Sequence, residues 1–412
     1  MSRPPVLFYC QHLLGLGHVQ RAARLARALV AAGEHVVFVT GGRPVPGLDL
    51  RGAEVVALPP LTAADEAASA LALPDGGRPD PAYLAERRAV LLGVLTRHDP
   101  AVVLVELFPF GRHALASELG PLLLAVWDDR RRRGRAAPRV AVSLRDILVS
   151  KTNQAWYELA VLAVAVQWVD RILVHGSPDV IPLSRTFGLA DRLGPRLIYT
   201  GYLAPPEPPG DDGAPRGPQG EVVISGGGGQ VAGSLFWTAL AARPHCGAAA
   251  ARPWRIITGP YLPDAVGAEL EARARAEPGV VVERFRDDFA ALLRGAALSV
   301  SQAGYNTVLD LVRSRVRAVV VPYEGSGDEQ PLRARLFAER GLLEVVPEGE
   351  LSPGRLAAAM DAALAAPGFP APVRLDLDGA ERAAALVRPL VDSVQAARAG
   401  RARSRRPRRD RR

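Results

Sequence analysis

Short apolar runs and amphipathic segments alternate along the chain. Residues 6–10 (VLFYC) and 317–321 (RAVVV) have the length and composition of buried strands. Residues 305–313 (YNTVLDLVR) instead carry apolar side chains at helical spacing. Because strands alternate with helices from end to end, the pattern predicts parallel sheets built from βαβ units.

One segment interrupts this alternation near the middle of the chain. Residues 204–220 (APPEPPGDDGAPRGPQG) are rich in proline and glycine and show no periodicity, which is typical of a linker. The chain of 412 residues is long enough for two domains. We therefore predict an α/β protein with two Rossmann-like, doubly wound parallel-sheet domains, residues 1–203 and 221–397, that face each other across a cleft.

Charge is concentrated at one end of the chain. Residues 398–412 hold nine arginines and one aspartate, and 9 − 1 = +8 equals the formal net charge of the whole chain. The remainder is formally neutral, so the composition predicts a disordered arginine-rich tail at 398–412. A neutral body without interleaved aromatic residues does not favour a nucleic-acid partner.

Cysteine usage and hydropathy bear on the compartment. Cys10 and Cys246 are too few for a disulfide framework, which fits a reducing environment. Residues 1–5 lead directly into the first strand, and the longest apolar run, 159–166, is too short to span a bilayer. We expect a cytoplasmic protein, with peripheral contact at the inner membrane face left open.

A glycine-rich loop follows the first strand of the second half. Residues 221–225 (EVVIS) precede Gly226, Gly227, Gly228 and Gly229, and Gln230 then opens a predicted helix. Glycines let backbone N–H groups approach an anion closely, and a helix N-terminus adds partial positive charge. The loop is not a P-loop, because no Gly-Lys-Ser/Thr follows. It predicts a diphosphate site, with a simple flexible turn as the alternative.

Two further polar loops follow neighbouring strands of the second half. Residues 302–307 (QAGYNT) and 323–330 (YEGSGDEQ) lie at carboxyl ends of apolar strands, where ligands of parallel sheets bind. Both carry glycine together with amide, hydroxyl or carboxylate groups. These loops are the second element of the predicted ligand site.

The first half offers candidates for acid and base chemistry. Gly15 and Gly17 lack the third glycine of a dinucleotide fingerprint, and no acidic residue ends the second strand, so a nicotinamide cofactor does not fit. His18 stands where the first helix begins, and Glu106 ends the strand of residues 102–106. Either side chain fits a general base in a crevice. A packing role for His18 and a salt bridge for Glu106 remain open.

The segments SQAGYNTVLDLV and VPYEGSGDEQ resemble the donor-binding signature of nucleotide-sugar glycosyltransferases with the GT-B fold, in particular glycosyltransferase family 28. The order of QHLLGLGH, FPFGR, SLRDIL, SGGGGQ, QAGYNT and DEQ also resembles a bacterial branch of predicted glycosyltransferases. The four glycines depart from the family's usual Gly-Gly-Ser pattern. The resemblance covers most of the chain and is closer from about residue 221 to residue 346.

The resemblance implies a hexosyltransferase that moves a sugar, N-acetylglucosamine or another hexose, from a UDP-sugar to a lipid-linked or small-molecule acceptor. It also implies inversion at the anomeric carbon. Backbone N–H groups and helix dipoles stabilise the leaving diphosphate in such a site, so we expect neither a metal nor another cofactor. The implied roles are ribose binding by Asp310, phosphate or sugar contacts by Gly304, Asn306 and Thr307, sugar contacts by Glu329 and Gln330, and an acceptor side formed by Gly15, Gly17 and Arg145. Gln302 is implied as a further residue of the donor site.

Two other functions stay open on the sequence. A nucleotide-sugar 2-epimerase of the same fold would carry more acid and base residues in its cleft. A catalytically inert nucleotide-sugar-binding protein would keep the donor loops and lack the base. Analysis of the reaction products distinguishes them from a transferase.

Overall fold

The computed structural model describes residues 3–13, 15–65, 70–206, 220–325, 327–366 and 375–404. The first domain is built on a seven-stranded parallel sheet in the order β3-β2-β1-β6-β7-β8-β9. A separate antiparallel hairpin is formed by β4 and β5. The strands are β1 Val6–Tyr9, β2 Val36–Thr40, β3 Glu54–Ala57, β4 Thr62–Ala63, β5 Leu71–Ala72, β6 Val102–Glu106, β7 Arg139–Arg145, β8 Arg171–His175 and β9 Leu197–Tyr199.

Apolar clusters cover both faces of this sheet. Successive side chains of a strand point to opposite faces, so Leu7 and Tyr9 enter one cluster while Val6 and Phe8 enter the other. The doubly wound first domain predicted from the sequence is confirmed. Its helices are α1 Gly17–Ala31, α2 Pro81–His98, α3 Ala116–Arg133 and α4 Gln154–Trp168.

The second domain is a six-stranded parallel sheet in the order β12-β11-β10-β13-β14-β15. Its strands are β10 Val222–Ser225, β11 Trp254–Ile257, β12 Val280–Glu283, β13 Leu298–Ser301, β14 Ala318–Val320 and β15 Glu344–Val345. Its helices are α5 Gly233–Ala242, α6 Asp264–Arg275, α7 Phe289–Gly295, α8 Tyr305–Ser314, α9 Glu329–Ala338 and α10 Pro353–Ala365.

The strand order reverses at one point in each sheet, and a ligand crevice is expected there. In the first domain the reversal lies between β1 and β6, whose carboxyl ends carry the His18 loop and Glu106. In the second domain it lies between β10 and β13, which are followed by the glycine loop and by residues 302–304. Both predicted sites therefore sit at the switch points.

The last helix, α11 Gly379–Ser404, crosses back to the first domain. Ala383, Val387, Val391 and Val394 are fully buried in the cluster that contains β1 and α1. A second domain ending at residue 397 is therefore too long, because this helix completes the core of the first domain. The predicted tail also begins too early, since residues 398–404 are helical. Residues 405–412 lie outside the described residues.

Two other boundaries differ from the sequence expectation or fall outside the description. The helix expected directly after Gln230 begins three residues later, at Gly233, because the intervening residues form turns. Of the predicted linker, residues 207–219 lie outside the described residues. Cys10 and Cys246 are both free. None of the described helices is long and apolar enough to cross a membrane.

Arg398 gives a test of how firmly α11 is attached. Its guanidinium donates to the carbonyl oxygens of Asp99, Pro100 and Ala136 at 2.8–3.0 Å. We expect Arg398→Met to lower the free energy of unfolding by roughly 1–3 kcal/mol, the usual effect of removing a charged hydrogen-bond donor. Chemical denaturation measures this. The matched variant Arg403→Met, on the exposed part of the same helix, should leave stability unchanged; equal effects of the two variants would contradict the attachment.

Candidate active site between the two domains

A cleft of about 1330 Å³ lies between the domains at the carboxyl ends of both sheets. Its volume exceeds that of a typical site for one small ligand, so it has room for two substrates. Every predicted site residue except Glu106 lines it: Gly15, Gly17, His18, Arg145, Gly226, Gly227, Gly228, Gly229, Gln230, Gln302, Gly304, Asn306, Thr307, Asp310, Glu329 and Gln330.

The glycine loop is shaped by close backbone approaches. Gly229 has φ +91°, and a Cβ there would lie 2.3 Å from the carbonyl oxygen of Thr258. A Cβ on Gly228 would lie 3.1 Å from the Cα atom of Gly15 across the cleft. The backbone N–H groups of Gly227 and Gly228 donate to no described residue. The loop therefore presents free N–H donors to the cleft, as an anion site requires.

The N-terminus of α8 provides a second set of donors. Gly304 is its N-cap and supplies no side-chain cap. The N–H groups of Tyr305, Asn306 and Thr307 have no acceptor among the described residues. A helix begins with such unpaired donors and a partial positive charge, so this end of α8 is also suited to an anion.

Gln330 and Gln302 hold the donor loops in place. The Oε1 atom of Gln330 accepts from the N–H groups of Ala303 and Tyr323 at 3.0 and 3.1 Å. Gln302 donates to the carbonyl oxygen of Val231 at 3.2 Å. The oxygen of Gln330 thus joins the two loops, and its amide nitrogen is the part that remains to meet a ligand.

Asp310 forms an ion pair across the cleft. Arg24 of α1 lies 2.9 Å from its carboxylate and also contacts Asn306 at 3.4 Å. Burial raises the pKa of Asp310, and the neighbouring Arg24 charge opposes that effect. The Asn306 side chain donates to the carbonyl oxygen of Gly17 at 2.9 Å. The predicted ribose ligand is therefore in the cleft, with a cationic partner from the first domain.

Glu329, predicted to contact the donor sugar, and Arg145, predicted on the acceptor side, form an ion pair with each other. Arg145 lies 2.5 Å from one oxygen of Glu329, and Arg333 lies 2.7 Å from the other. Arg333 also makes a fully buried, two-point ion pair with Asp146. Although burial favours the neutral acid, the two guanidinium groups lower the pKa of Glu329 to about 2. The pair is part of the contact that holds the two domains together.

His18 and Glu106 form a hydrogen-bonded pair at the first-domain switch point. The Nδ1 atom of His18 lies 3.0 Å from Glu106 Oε1. Arg21 Nη2 also lies 3.0 Å from the same nitrogen, so the carboxylate and the guanidinium compete for Nδ1. In the tautomer that carries its proton on Nδ1, the ring donates to Glu106 and leaves Nε2 as the basic atom. The His18 side chain lines the cleft and is 14% exposed, whereas the Glu106 side chain is fully buried.

Glu106 lies behind His18 and does not reach the crevice. Arg21 and Ser143 both donate to its carboxylate. Burial by itself raises the pKa of Glu106, but Arg21, followed by the contacts from His18 and Ser143, holds that pKa well below its ordinary value. The expectation that Glu106 points into the cleft as a base is wrong, because α1 and the adjacent strand β7 enclose it. It can orient His18 instead.

The pKa of His18 is lowered from 6.5 to about 3, because the ring is desolvated and the Arg112 charge lies nearby. His18 is therefore neutral at physiological pH. A neutral imidazole that donates from Nδ1 to Glu106 can accept a proton from a substrate hydroxyl at Nε2.

Several residues of this site were missed by sequence reasoning. Ser143 connects Glu106 to His175, and the hydroxyl of Tyr305 donates across the domains to the carbonyl oxygen of His175 at 2.9 Å. The guanidinium groups of Arg21 and Arg333 lie over the Tyr305 ring, 5.0 and 5.6 Å from its centroid. Only the position of His175 at a strand's end gave a signal. Within the described ranges, no three metal-ligating side chains come together in a way that could hold a metal ion.

Comparisons with known proteins bear on the fold and on the second domain. Residues 227–382 match the glycosyltransferase family 28 C-terminal domain. A relative from Alkalilimnicola ehrlichii is 27% identical over 286 residues, 67% of this chain and 68% of the relative. It is named UDP-N-acetylglucosamine--N-acetylmuramyl-(pentapeptide) pyrophosphoryl-undecaprenol N-acetylglucosamine transferase. A relative of the same name from Thermotoga neapolitana is 32% identical over 85 residues, 20% of this chain and 25% of the relative.

Two solved structures share the fold of the whole chain. MurG of Acinetobacter baumannii superposes with a TM-score of 0.56 at 18% identity, covering 94% of this chain and 100% of that chain. The calicheamicin glycosyltransferase CalG4 gives 0.54 at 18% identity, covering 96% and 95%. The two facing Rossmann-like domains thus define a GT-B protein. Together with the match of residues 227–382 to the C-terminal domain of glycosyltransferase family 28, they indicate a glycosyltransferase that is similar to members of that family.

Proposed function

We propose that the protein transfers a sugar, N-acetylglucosamine or another hexose, from a UDP-sugar to a hydroxyl group of an acceptor. One observation carries the proposal. A single cleft brings two sets of unpaired N–H donors from the second domain opposite a neutral histidine that a buried carboxylate orients. The names of the relatives, which specify a UDP-N-acetylglucosamine donor and an undecaprenol-linked acceptor, support this choice of donor.

The proposed chemical step needs only groups of this chain. His18 Nε2 accepts the proton of the acceptor hydroxyl as the oxygen attacks the anomeric carbon. The bond between that carbon and the phosphate oxygen breaks, and its electron pair leaves with UDP. Attack opposite the leaving group inverts the anomeric configuration. The glycine loop and the N-terminus of α8 donate N–H groups to the diphosphate as its charge grows, so the step is written without a metal.

The remaining donor contacts follow from position. Asp310 is the sixth residue of α8, further along the helix than the N–H groups that would meet phosphate. In the proposed complex its carboxylate accepts hydrogen bonds from the ribose hydroxyls. Gln330 offers its amide nitrogen to the sugar. The Glu329 carboxylate, held by Arg145 and Arg333, completes the sugar side of the cleft.

The other two functions are less well supported. An inert binding protein has no use for a buried charge pair that orients a cleft histidine. An epimerase needs further acid and base groups, but among the described residues the carboxylates lining the cleft are Asp287, Asp310 and Glu329, and the last two are engaged in ion pairs.

A donor panel tests the proposal. The purified protein is incubated with UDP-, TDP- and GDP-sugars, with and without candidate hydroxyl acceptors, and the products are separated by anion-exchange chromatography. Release of UDP, with sugar appearing on an acceptor, is expected. An isomerised UDP-sugar would indicate an epimerase, and an unchanged panel with measurable UDP binding would indicate a binding protein.

Asp310 allows a sharper test of the donor site. We expect Asp310→Ala to weaken UDP binding by about 10-fold or more, because a hydrogen bond to a charged acceptor is worth roughly 1.5–3 kcal/mol. Asp310→Asn should lose less, since the amide oxygen still accepts. Titration calorimetry with UDP measures both variants.

The ribose itself provides the control. If Asp310 meets its hydroxyls, 2′,3′-dideoxy-UDP binds the unaltered protein weakly and loses no further affinity in Asp310→Ala. If Asp310 only pairs with Arg24, then Asp310→Ala and Arg24→Met weaken UDP and its dideoxy analogue to the same extent. That second result would remove the ribose assignment.

A further inference from the structure

A row of buried polar side chains leads away from Glu106 along the carboxyl ends of four neighbouring strands, β6 to β9. Its members are Glu106, Ser143, His175 and Thr200, each at most 1% exposed. Glu106 and Ser143 are direct partners in the parallel register, and His175 follows two residues after the partner of Ser143 on β8. These three side chains therefore point to the same face of the sheet, the one that α1 covers. The row begins directly behind His18.

The hydrogen bonds of this row run in one direction. The Ser143 hydroxyl is within hydrogen-bond distance of the Glu106 carboxylate and lies 2.9 Å from Nε2 of His175. It has one proton to give. A hydrogen bond to an ionised acceptor is roughly twice as strong as one to a neutral acceptor, so Ser143 donates to Glu106. Its oxygen then accepts from a proton on Nε2 of His175.

The other ring nitrogen of His175 agrees with this assignment. His175 is neutral, because burial lowers its pKa from 6.5 to about 3, so the ring carries one proton. With that proton on Nε2, Nδ1 can accept from the Thr200 hydroxyl, 2.9 Å away. The carbonyl oxygens of Val174 and Gly201 lie 3.3 and 2.9 Å from the same hydroxyl. Thr200 is therefore satisfied in either arrangement, and the direction of the row is decided at Ser143.

This direction matters because the two oxygens of Glu106 have different partners. Oε1 faces His18 and Arg21, while Oε2 accepts from Ser143. The bond to Ser143 fixes the rotation of the carboxylate and so keeps Oε1 directed at the His18 ring. If His175 carried its proton on Nδ1, Nε2 would compete for the Ser143 proton and Oε2 would lose its donor. The protonation of His175 thus determines whether the serine serves the carboxylate.

The main chain of His175 is held from the second domain. Its carbonyl oxygen accepts from the hydroxyl of Tyr305 at 2.9 Å, and that hydroxyl accepts from the N–H group of Leu203 at 3.1 Å. Tyr305 is the first residue of α8, the helix whose N-terminus carries the unpaired donors of the cleft. His175 is therefore fixed between the pair that contains the base and the helix proposed to bind the donor.

We propose that His175 is a positioning residue that directs the Ser143 proton to Glu106 and thereby holds the carboxylate that orients His18. This inference rests on the proposed transfer function and adds a residue that does not itself line the cleft. Packing alone does not explain a histidine here. An apolar side chain of similar size would fill the space without two buried nitrogens that each require a partner.

Two substitutions separate the two nitrogens of His175. His175→Gln can place an amide N–H where Nε2 lies and keep the bond to Ser143. His175→Asn can place an amide oxygen where Nδ1 lies and keeps only the contact with Thr200. The kcat of sugar transfer should fall by about 10-fold in His175→Asn and by no more than about threefold in His175→Gln. UDP affinity, measured by calorimetry, should not change in either variant.

A double variant shows whether His175 acts through Ser143. Ser143→Ala should also lower kcat by about 10-fold, whereas the matched control Ser184→Ala, at an exposed serine, should not. Ser143→Ala combined with His175→Asn should lose no more than either single variant, because both changes remove the same bond. A loss near the product of the two, about 100-fold, would overturn the inference. Equal rates in His175→Gln and His175→Asn would overturn it as well and would assign the residue to packing.

A measurement without turnover separates this inference from the proposed function. The chain has seven histidines, and nitrogen-15 labelling lets NMR report which ring nitrogen of each carries the proton. The signals absent from His175→Asn identify His175, whose proton should be on Nε2 at neutral pH. The His18 signals, identified with His18→Ala, should shift in His175→Asn and stay in place in His175→Gln.

The NMR result decides the inference even if no sugar is transferred. A His175 ring protonated on Nδ1, or His18 signals that are the same in His175→Asn as in the unaltered protein, would overturn it. Absence of transfer together with the expected signals would instead contradict the proposed function, while the positioning of His18 by this row would stand.

Discussion

Replacing His18 by alanine is expected to reduce the rate of sugar transfer by roughly 10²–10⁴-fold, the usual contribution of a positioned general base. UDP affinity should stay unchanged, because the donor loops lie in the second domain. The measurements are kcat from UDP release with an accepted acceptor, and calorimetry with UDP. His35→Ala, a half-exposed histidine that faces Glu54, is the control. A comparable loss of rate in both variants would show that His18 is not the base.

The pH dependence gives a second readout for His18. Its pKa is lowered to about 3, so the basic form persists as the pH falls through the ordinary value of 6.5. The acid limb of kcat/KM, which reports the free enzyme, should therefore lie well below 6.5. Bound UDP-sugar adds negative charge to the cleft and stabilises the imidazolium, which raises the pKa of His18 in the complex. The acid limb of kcat should therefore lie at a higher pH than the acid limb of kcat/KM. An acid limb of kcat/KM near 6.5 would contradict the buried setting of the ring.

Much of the fold follows from the sequence because its strands are short and fully apolar. Such runs, alternating with helices, predict parallel sheets covered on both faces, and the structure has two of them. The long last helix was harder to place. Its apolar stripe predicts only that one face is buried, and nothing local indicates that this face completes the core of the first domain.

The donor side of the cleft was predictable, whereas its electrostatic partners were not. Glycine loops and helix N-termini are local features, so a short motif suffices to find Gly226 or Thr307. Ion pairs such as Arg24 with Asp310 join residues 286 positions apart and depend on how the domains face each other. Glu106 illustrates the same difficulty, since its place at a strand's end is local but its enclosure by Arg21 and Ser143 is tertiary.

Glu106→Gln, a change behind the cleft histidine, should strongly destabilise the protein. The substitution keeps the shape of the side chain but removes the charge that compensates Arg21, which is itself fully buried. Breaking a buried ion pair by removing one partner costs roughly 3–5 kcal/mol. Transfer should also slow by about 10²-fold or more, because the amide NH2 group can donate to Nδ1 and so favours the tautomer protonated at Nε2, which cannot take the acceptor's proton.

Stability against pH separates the charge effect from packing. The pKa of Glu106 is lower in the folded protein than its ordinary value of 4.5, so the unfolded chain takes up the proton first. The stabilisation by this carboxylate is fully present above pH 4.5 and is lost as the pH falls through the folded-state pKa. Denaturation at each pH gives the free energy of unfolding of the unaltered protein and of Glu106→Gln. The difference between the two values should therefore become smaller below pH 4.5.

A double variant completes the test of Glu106. Arg21→Met with Glu106→Gln removes both charges, so it should recover much of the stability lost in Glu106→Gln, because no uncompensated charge remains buried. It should not recover transfer, since His18 still faces a neutral amide. Recovery of both properties together would mean that Glu106 only supports the fold. A double variant no more stable than Glu106→Gln would show that the buried Arg21 charge is not the source of the loss.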